Sequence, residues 1–173
     1  MKKALVIIDY QNDFVTGSLG FEKAKQIETS IIKKIESYLN ETADLIFTLD
    51  THDENYLNTK EGMYLPIPHC IADSEGWHIY GEVANFVDKA NKIFKKSTFG
   101  SLELGHYLNL QNYDVVELAG IISNICVLSN AVMAKAALPN SQIIIDSNCI
   151  ASNNEELHLK SLDIMKNLHI QVK

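Results

Sequence analysis

The sequence predicts an α/β protein: three layers, α/β/α, around a six-stranded, mostly parallel sheet. Two observations carry this. Apolar runs rich in branched residues, of the kind buried on both faces of a parallel sheet, recur along the chain and alternate with stretches of helical periodicity. The first two runs, residues 4–8 and 43–49, each end in an acid, Asp9 and Asp50, and an amphipathic segment joins them, which is the parallel crossover unit. At 173 residues the chain is expected to form one domain, residues 1–173, with a core that needs neither disulfides nor a structural metal.

The elements follow in order. Residues 4–8 open the sheet, and the polar, glycine-bearing segment 10–20 leaves the strand's carboxyl end as a loop. Ala24, Ile27, Ile31, Ile35, Tyr38 and Leu39 fall at helical spacing between lysines and glutamates, which predicts a helix over 22–39. Residues 43–49 are the second strand. From 51 to 77 periodicity is lost and Pro66, Pro68, His52 and His69 gather in one long loop, a length that is usually functional or disordered. Residues 80–90 read as a short helix, 92–95 as the third strand, 102–108 as another short helix and 115–119 as the fourth strand. The last of these runs through Gly120 into 123–138, which is apolar on nearly every face and too long for a strand, hence a buried helix. Residues 142–145 make the fifth strand, ending at Asp146. Leu157, Leu159, Leu162 and Met165 mark a helix over 154–168, and 170–172 close the sheet as its sixth strand. In such a sheet the ligand site lies at the carboxyl ends of the strands.

Composition narrows the partners. A formal net charge of -7 and a pI near 5.3, with no basic stripe, argue against nucleic acid and anionic membranes. The amino-terminal apolar run stops at Asp9, far short of a membrane span or signal peptide, so a cytoplasmic protein is expected. Cys70, Cys126 and Cys149 are an odd number without C-x-x-C spacing, which speaks against a disulfide scaffold or a zinc ribbon. All 15 cationic residues are lysine. Carboxylate substrates are usually gripped by a guanidinium fork, so the lack of arginine favours a neutral substrate.

Chemistry gathers at the strand ends. Cys126 falls in the first turn of the helix over 123–138, where the macrodipole and free N–H groups favour a thiolate and can hold an oxyanion. By itself, a free cysteine beside an apolar helix is more often core filler. Asp9, Asp50, Lys96 and Cys126, however, all lie at or just past strand ends, so they can converge: Asp9 as base, Lys96 as the cation that holds the pair. A second set, Asp50-Thr51-His52 with Glu61 and His69, suits a divalent transition metal, with Glu61 ligating directly or through water. His78, His106, His158 and His169 lack acidic or histidine neighbours at ligand spacing and read as structural or surface residues.

Residues 8–14 (IDYQNDF), Asp50-Thr51-His52, Pro68-His69-Cys70, residues 96–101 (KSTFGS) and residues 120–127 (GIISNICV) resemble the ordered motifs of the isochorismatase-like cysteine hydrolases, whose fold is Rossmann-like. Within them the chain looks most like a nicotinamidase. The resemblance runs from the first strand to Asp146-Ser147-Asn148, nearly the whole chain. It implies a Cys126, Asp9, Lys96 triad, with Cys126 attacking a carboxamide carbon and the backbone N–H groups of Ile122 and Cys126 holding the oxyanion. A cis peptide between Ile121 and Ile122 is implied as well. The ligands implied for the metal are Asp50, His52 and His69 with Glu61 as a fourth; zinc comes first, with iron or manganese as alternatives. Phe14 and Tyr64 are the expected walls for a flat ring. The implied product is nicotinate, formed with ammonia through a thioester, the implied role is NAD salvage, and homo-oligomers are common among such proteins. The segment between His52 and His69 departs from the pattern by lacking the second nearby histidine that some nicotinamidases have; Glu61 is the local substitute. Two other readings stay open: a relative acting on an N-carbamoyl or ureido compound or on isochorismate, and a non-enzymatic protein that keeps the fold.

Overall fold

The computed structural model describes the chain from Met1 to Lys173. Six strands, β1 (Lys3–Ile8), β2 (Asp44–Asp50), β3 (Lys92–Lys96), β4 (Val115–Ile121), β5 (Gln142–Ala151) and β6 (Gln171–Val172), form one sheet in the order β3-β2-β1-β4-β5-β6. Every neighbouring pair is parallel, so the sheet is wholly rather than mostly parallel. The helices are α1 (Asn12–Val15), α2 (Glu22–Gln26), α3 (Glu28–Asn40), α4 (Lys60–Tyr64), α5 (Leu102–Gln111), α6 (Leu128–Ala137) and α7 (Glu155–Asn167). None is long and apolar enough to cross a membrane.

Side-chain alternation along β1 divides the core in two. Ala4, Val6 and Ile8 pack with α5, α6 and α7 through Leu104, Leu108, Ala131, Ala134, Leu162 and Met165. Leu5 and Ile7 face the other way, onto Phe14, Val15, Ala24, Ile31 and Ile35 of α1 to α3. These five of the six β1 residues are fully buried, as expected of a central parallel strand with both faces covered. Strand order reverses between β1 and β4, and the crevice at their carboxyl ends is where such sheets take ligands. Gly120 lets the two strands close up there: at φ 117°, it leaves room for no side chain, since a Cβ would stand 2.1 Å from the Ile8 carbonyl oxygen.

Four elements differ from their expected form. The helix over 22–39 is two helices, broken at Ile27, where the buried Tyr10 hydroxyl donates to the Ala24 carbonyl at 2.6 Å in the turn before the break. The strand expected to end at Ile145 runs on to Ala151. Its pairing with β4 jumps from Leu118↔Ile145 to Gly120↔Ile150, so residues 146–149 bulge, closed by Asp146 accepting from Asn148 N–H at 3.0 Å and pairing with Lys34 at 2.8 Å. Residues Gly81–Lys89 are 3₁₀ rather than α-helical. The long segment 51–77 is not structureless: it holds α4 and two short 3₁₀ turns, with Thr59 capping α4 by accepting from Gly62 N–H at 3.0 Å.

Candidate active site

Parallel register places the chemistry before any side chain is considered. Asp50 and Lys96 are direct partners at the ends of β2 and β3, Asp9 leaves β1 next door with φ 45°, and Cys126 follows β4. The four sequence-predicted strand-end residues therefore meet. Asp9, 0 % exposed, accepts from the Thr48 hydroxyl at 2.6 Å through Oδ1, while its Oδ2 lies 2.6 Å from Lys96 Nζ. That second contact is a close ion pair outside hydrogen-bond alignment, which leaves Oδ2 without an aligned donor. Lys96 Nζ also donates to the Thr98 carbonyl at 2.9 Å and sits 3.4 Å from Asp50 Oδ1 and 3.7 Å from Cys126 Sγ.

Protonation follows from burial and these charges. Burial alone would lower the lysine, but Asp9, Cys126 and Asp50 outweigh it and hold the ammonium charged. Burial raises Asp9 above the ordinary carboxylate value, with Lys96 opposing and Asp50 adding to it. Burial likewise holds Cys126 well above the usual thiol value, reinforced by Asp9 and opposed by Lys96. This corrects the expectation of a thiolate at a helix start. Cys126 lies in a single π-helical turn, Ser123–Val127, ahead of α6, rather than in the first turn of a regular α-helix. The resting group is a thiol whose neighbour is a carboxylate able to take the proton. The Ile121–Ile122 peptide is cis, as the resemblance implied.

Beside this group stands the second constellation. His52 Nε2 lies 3.1 Å and His69 Nε2 3.4 Å from Asp50 Oδ2; Glu61 Oε1 is 3.9 Å from the first imidazole and 3.7 Å from the second. All four ligand atoms fall within 4.8 Å of one another. A tetrahedral ion with bonds of about 2.1 Å needs donors about 3.4 Å apart, so this spacing fits a divalent cation. The donor chemistry fits too. His69 Nδ1 is bonded to the Ile67 carbonyl at 2.8 Å, which in the neutral ring leaves Nε2 as the free lone pair facing the cluster. Burial and the facing Asp50 carboxylate push Glu61 up, a conflict that a cation resolves.

Each ligand has a visible support. Gln11, fully buried, grips Asp50 like a neighbouring strand: its amide donates to the Asp50 carbonyl at 2.9 Å and accepts from the Asp50 N–H at 2.8 Å. Asp13 accepts from Cys70 N–H at 2.7 Å, fixing the residue after His69, and a parallel bridge pairs His52 with Ile71. Gly62 lets α4 press onto the preceding turn and bring Glu61 inward; a Cβ there would be 2.1 Å from the Tyr56 carbonyl oxygen. On the other side, Asn130 donates to the Cys126 carbonyl at 2.8 Å and the Phe99 carbonyl at 3.0 Å and accepts from Ser101 N–H at 2.9 Å, tying the nucleophile's turn to the loop after Lys96.

The expected aromatic walls divide. Phe14 is buried with its ring 5.4 Å from that of His69. Tyr64 is 91 % exposed and joins nothing at the site; as the last residue of a five-residue helix it projects into solvent. The tyrosine that does touch the cluster is Tyr56, its ring 4.7 Å from His52 and 5.0 Å from His69. Gln11 and Asp13 lie inside a motif already singled out, whereas Asn130 carries no signal beyond being a polar group in an apolar helix, and Tyr56, in a polar aperiodic stretch, carries none. Cys70 and Cys149 are buried and belong to neither group of side chains, the latter's thiol pushed up to about 12 by burial and then the neighbouring Asp146. His78, His106 and His169 are exposed.

Known proteins share both the architecture and the span. A curated relative, the uncharacterized isochorismatase family protein PncA of Bacillus subtilis (strain 168), is 31 % identical over 178 residues, 96 % of each chain. The crystal structure of nicotinamidase PncA from Bacillus subtilis superposes with a TM-score of 0.88 at 33 % identity, covering 99 % of both chains. That of a pyrazinamidase/nicotinamidase from Streptococcus mutans UA159 gives 0.90 at 29 % identity, over 99 % of this chain and all (100 %) of the other. The Isochorismatase domain matches residues 3–172, from the first residue of β1 to the last of β6, so the whole sheet and every residue placed above fall within it, and this chain belongs to the isochorismatase family.

Proposed function

We propose that this protein is a nicotinamidase-type amidohydrolase that converts nicotinamide to nicotinate and ammonia. The observation that carries the reading is the junction of two sites at one lysine: the Asp9–Lys96–Cys126 group and the four-donor cluster are joined through the 3.4 Å contact of Lys96 with Asp50. Relatives with nicotinamidase in their description, at 29 % and 33 % identity over nearly the full length, support the same substrate.

The residues divide the work as follows. Asp9 takes the Cys126 proton while Lys96 keeps the carboxylate ionised, and the sulfur attacks the carboxamide carbon. The N–H groups of Ile122 and Cys126 stabilise the oxyanion. Asp9 returns the proton to the amine, ammonia departs and a thioester remains. Water then adds to the thioester as Asp9 accepts its proton, and collapse releases nicotinate and restores the thiol. Asp50, His52, His69 and Glu61 would hold a divalent cation, zinc first with iron or manganese as alternatives, and it would supply a Lewis-acidic anchor for a ring nitrogen. Phe14 and Tyr56 offer aromatic surface next to it.

The competing class, ureido acids or isochorismate, brings substrate carboxylates. Lys96 is the cation of this site and is already committed to Asp9 and Asp50, and the chain has no arginine to add. The deciding experiment is ammonia release from nicotinamide by the purified protein, with and without a chelator, beside a carboxylate-bearing ureido substrate. Chelator-sensitive release from nicotinamide alone is the expected result; turnover of the ureido acid with nicotinamide inert overturns the assignment.

A further inference from the structure

Cys126 rides on the turn Ser123–Val127, and two side chains reach that turn from the segment after β5. Ser152 Oγ donates to Asn124 Oδ1 at 2.6 Å, and His158 Nδ1, on α7, lies 2.9 Å from Ser123 Oγ. Ser123 is fully buried, whereas His158 is partly exposed on the wall of a polar cavity of about 310 Å³ that it shares with Lys23, Ser152 and Glu155. None of Asp9, Lys96 and Cys126 lines that cavity.

A buried serine at the head of a turn has local carbonyls within reach and competes with the backbone pattern when it bonds them. The imidazole draws that hydroxyl away. Two charged groups face His158, Glu155 on its own helix and Lys23 on α2, and these two are paired with each other. Burial, with Lys23 assisting and Glu155 opposing, holds the ring below the ordinary histidine value. At neutral pH the ring is therefore uncharged, and the contact is a hydrogen bond in either tautomer, with Nδ1 accepting from the Ser123 hydroxyl or Nδ1–H donating to its oxygen.

We propose that the Ser123–His158 hydrogen bond is a positioning device for the nucleophile: it ties the turn carrying Cys126 to α7 and keeps the sulfur in register with Asp9 and Lys96. The proposal rests on the reading of Cys126 as nucleophile. His158 touches neither substrate nor reacting atoms, so its loss acts on the chemical step and not on binding.

The test uses the full chain with His158→Leu, His158→Asn and Ser123→Ala, measuring kcat and KM for nicotinamide, the rate of Cys126 alkylation by iodoacetamide mapped by mass spectrometry, and the melting temperature. His158→Leu and Ser123→Ala are expected to lower kcat about tenfold at unchanged KM and to slow or misdirect alkylation in parallel. His158→Asn, whose side-chain amide can accept or donate where Nδ1 stands, is expected to restore kcat to within about threefold of the wild type. Wild-type kcat and alkylation in the leucine variant overturn the proposal, as does an asparagine variant equally slow at an unchanged melting temperature. If leucine at 158 prevents folding, Ser123→Ala decides alone. Should nicotinamide be inert with the wild type, the substrate assignment fails while the alkylation rates still decide the positioning role.

Discussion

In the proposed mechanism Asp9 accepts a proton from a fully buried position beside an ammonium. Because burial raises it above the ordinary carboxylate value, its basic form is lost at a higher pH than an exposed aspartate's; kcat/KM is expected to fall on acidification with a midpoint above about 3.9. A pH profile with no acid limb down to that value removes Asp9 as the base. Cys126→Ala is expected to lower turnover by about 10³-fold or more while leaving the unfolding free energy within about 1 kcal/mol of the wild type, checked by ammonia release and urea denaturation. At this scale the sequence was most legible where a residue's role depends on its distance from a strand end. Asp9, Asp50, Lys96 and Cys126 each stand at or a few residues beyond a strand, and parallel register brings strand ends together. It was least legible where a role depends on which of two like residues turns inward. Tyr56 and Tyr64 lie in the same aperiodic segment, and only the packing of the 3₁₀ turn Tyr56–Asn58 against the imidazoles distinguishes them.

At the scale of elements, hydrophobic runs placed all six strands, but departures from regular geometry left no pattern to read. The helix break at Ile27 and the bulge at 146–149 each arise from a partner distant in sequence, Tyr10 in one case and Lys34 in the other. The π-helical turn at Cys126 is apolar on the same faces as an α-helix, so periodicity cannot separate the two. Gly120 shows how closely such elements are fitted. Gly120→Ala imposes both a disfavoured φ and a Cβ inside the Ile8 carbonyl, so a loss of more than about 3 kcal/mol is expected, enough to prevent folding in a marginal protein. Urea denaturation of that variant with a near-wild-type midpoint would show that β1 and β4 separate there at little cost.

For the whole molecule, two half-cores on either side of one parallel sheet were foreseeable from alternating β and α patterns, as was the site at the strands' carboxyl ends. The four-donor cluster proposed to hold a cation bears on this scale because its residues come from β2, the segment after it and α4, which the sheet alone does not hold together. An ion bound by the folded chain and not by the unfolded one stabilises in proportion to its saturation, so removing it with a chelator is expected to lower the melting temperature by about 5 °C or more. No change on chelation, with bound metal shown by elemental analysis beforehand, would mean that the ligands are held by the protein scaffold alone. Lys96 makes the two sites one thermodynamic unit. Its ammonium is the shared counter-ion of Asp9 at 2.6 Å and Asp50 at 3.4 Å, and the Asp50 charge is among the influences that keep the Cys126 proton in place. A dication that neutralises Asp50 therefore eases ionisation of the thiol, and linkage makes the effect mutual. Loss of a proton from the Cys126–Asp9 pair to solvent would tighten the hold on such an ion by the same factor, whereas transfer of the proton from sulfur to Asp9 keeps it inside the same charged unit.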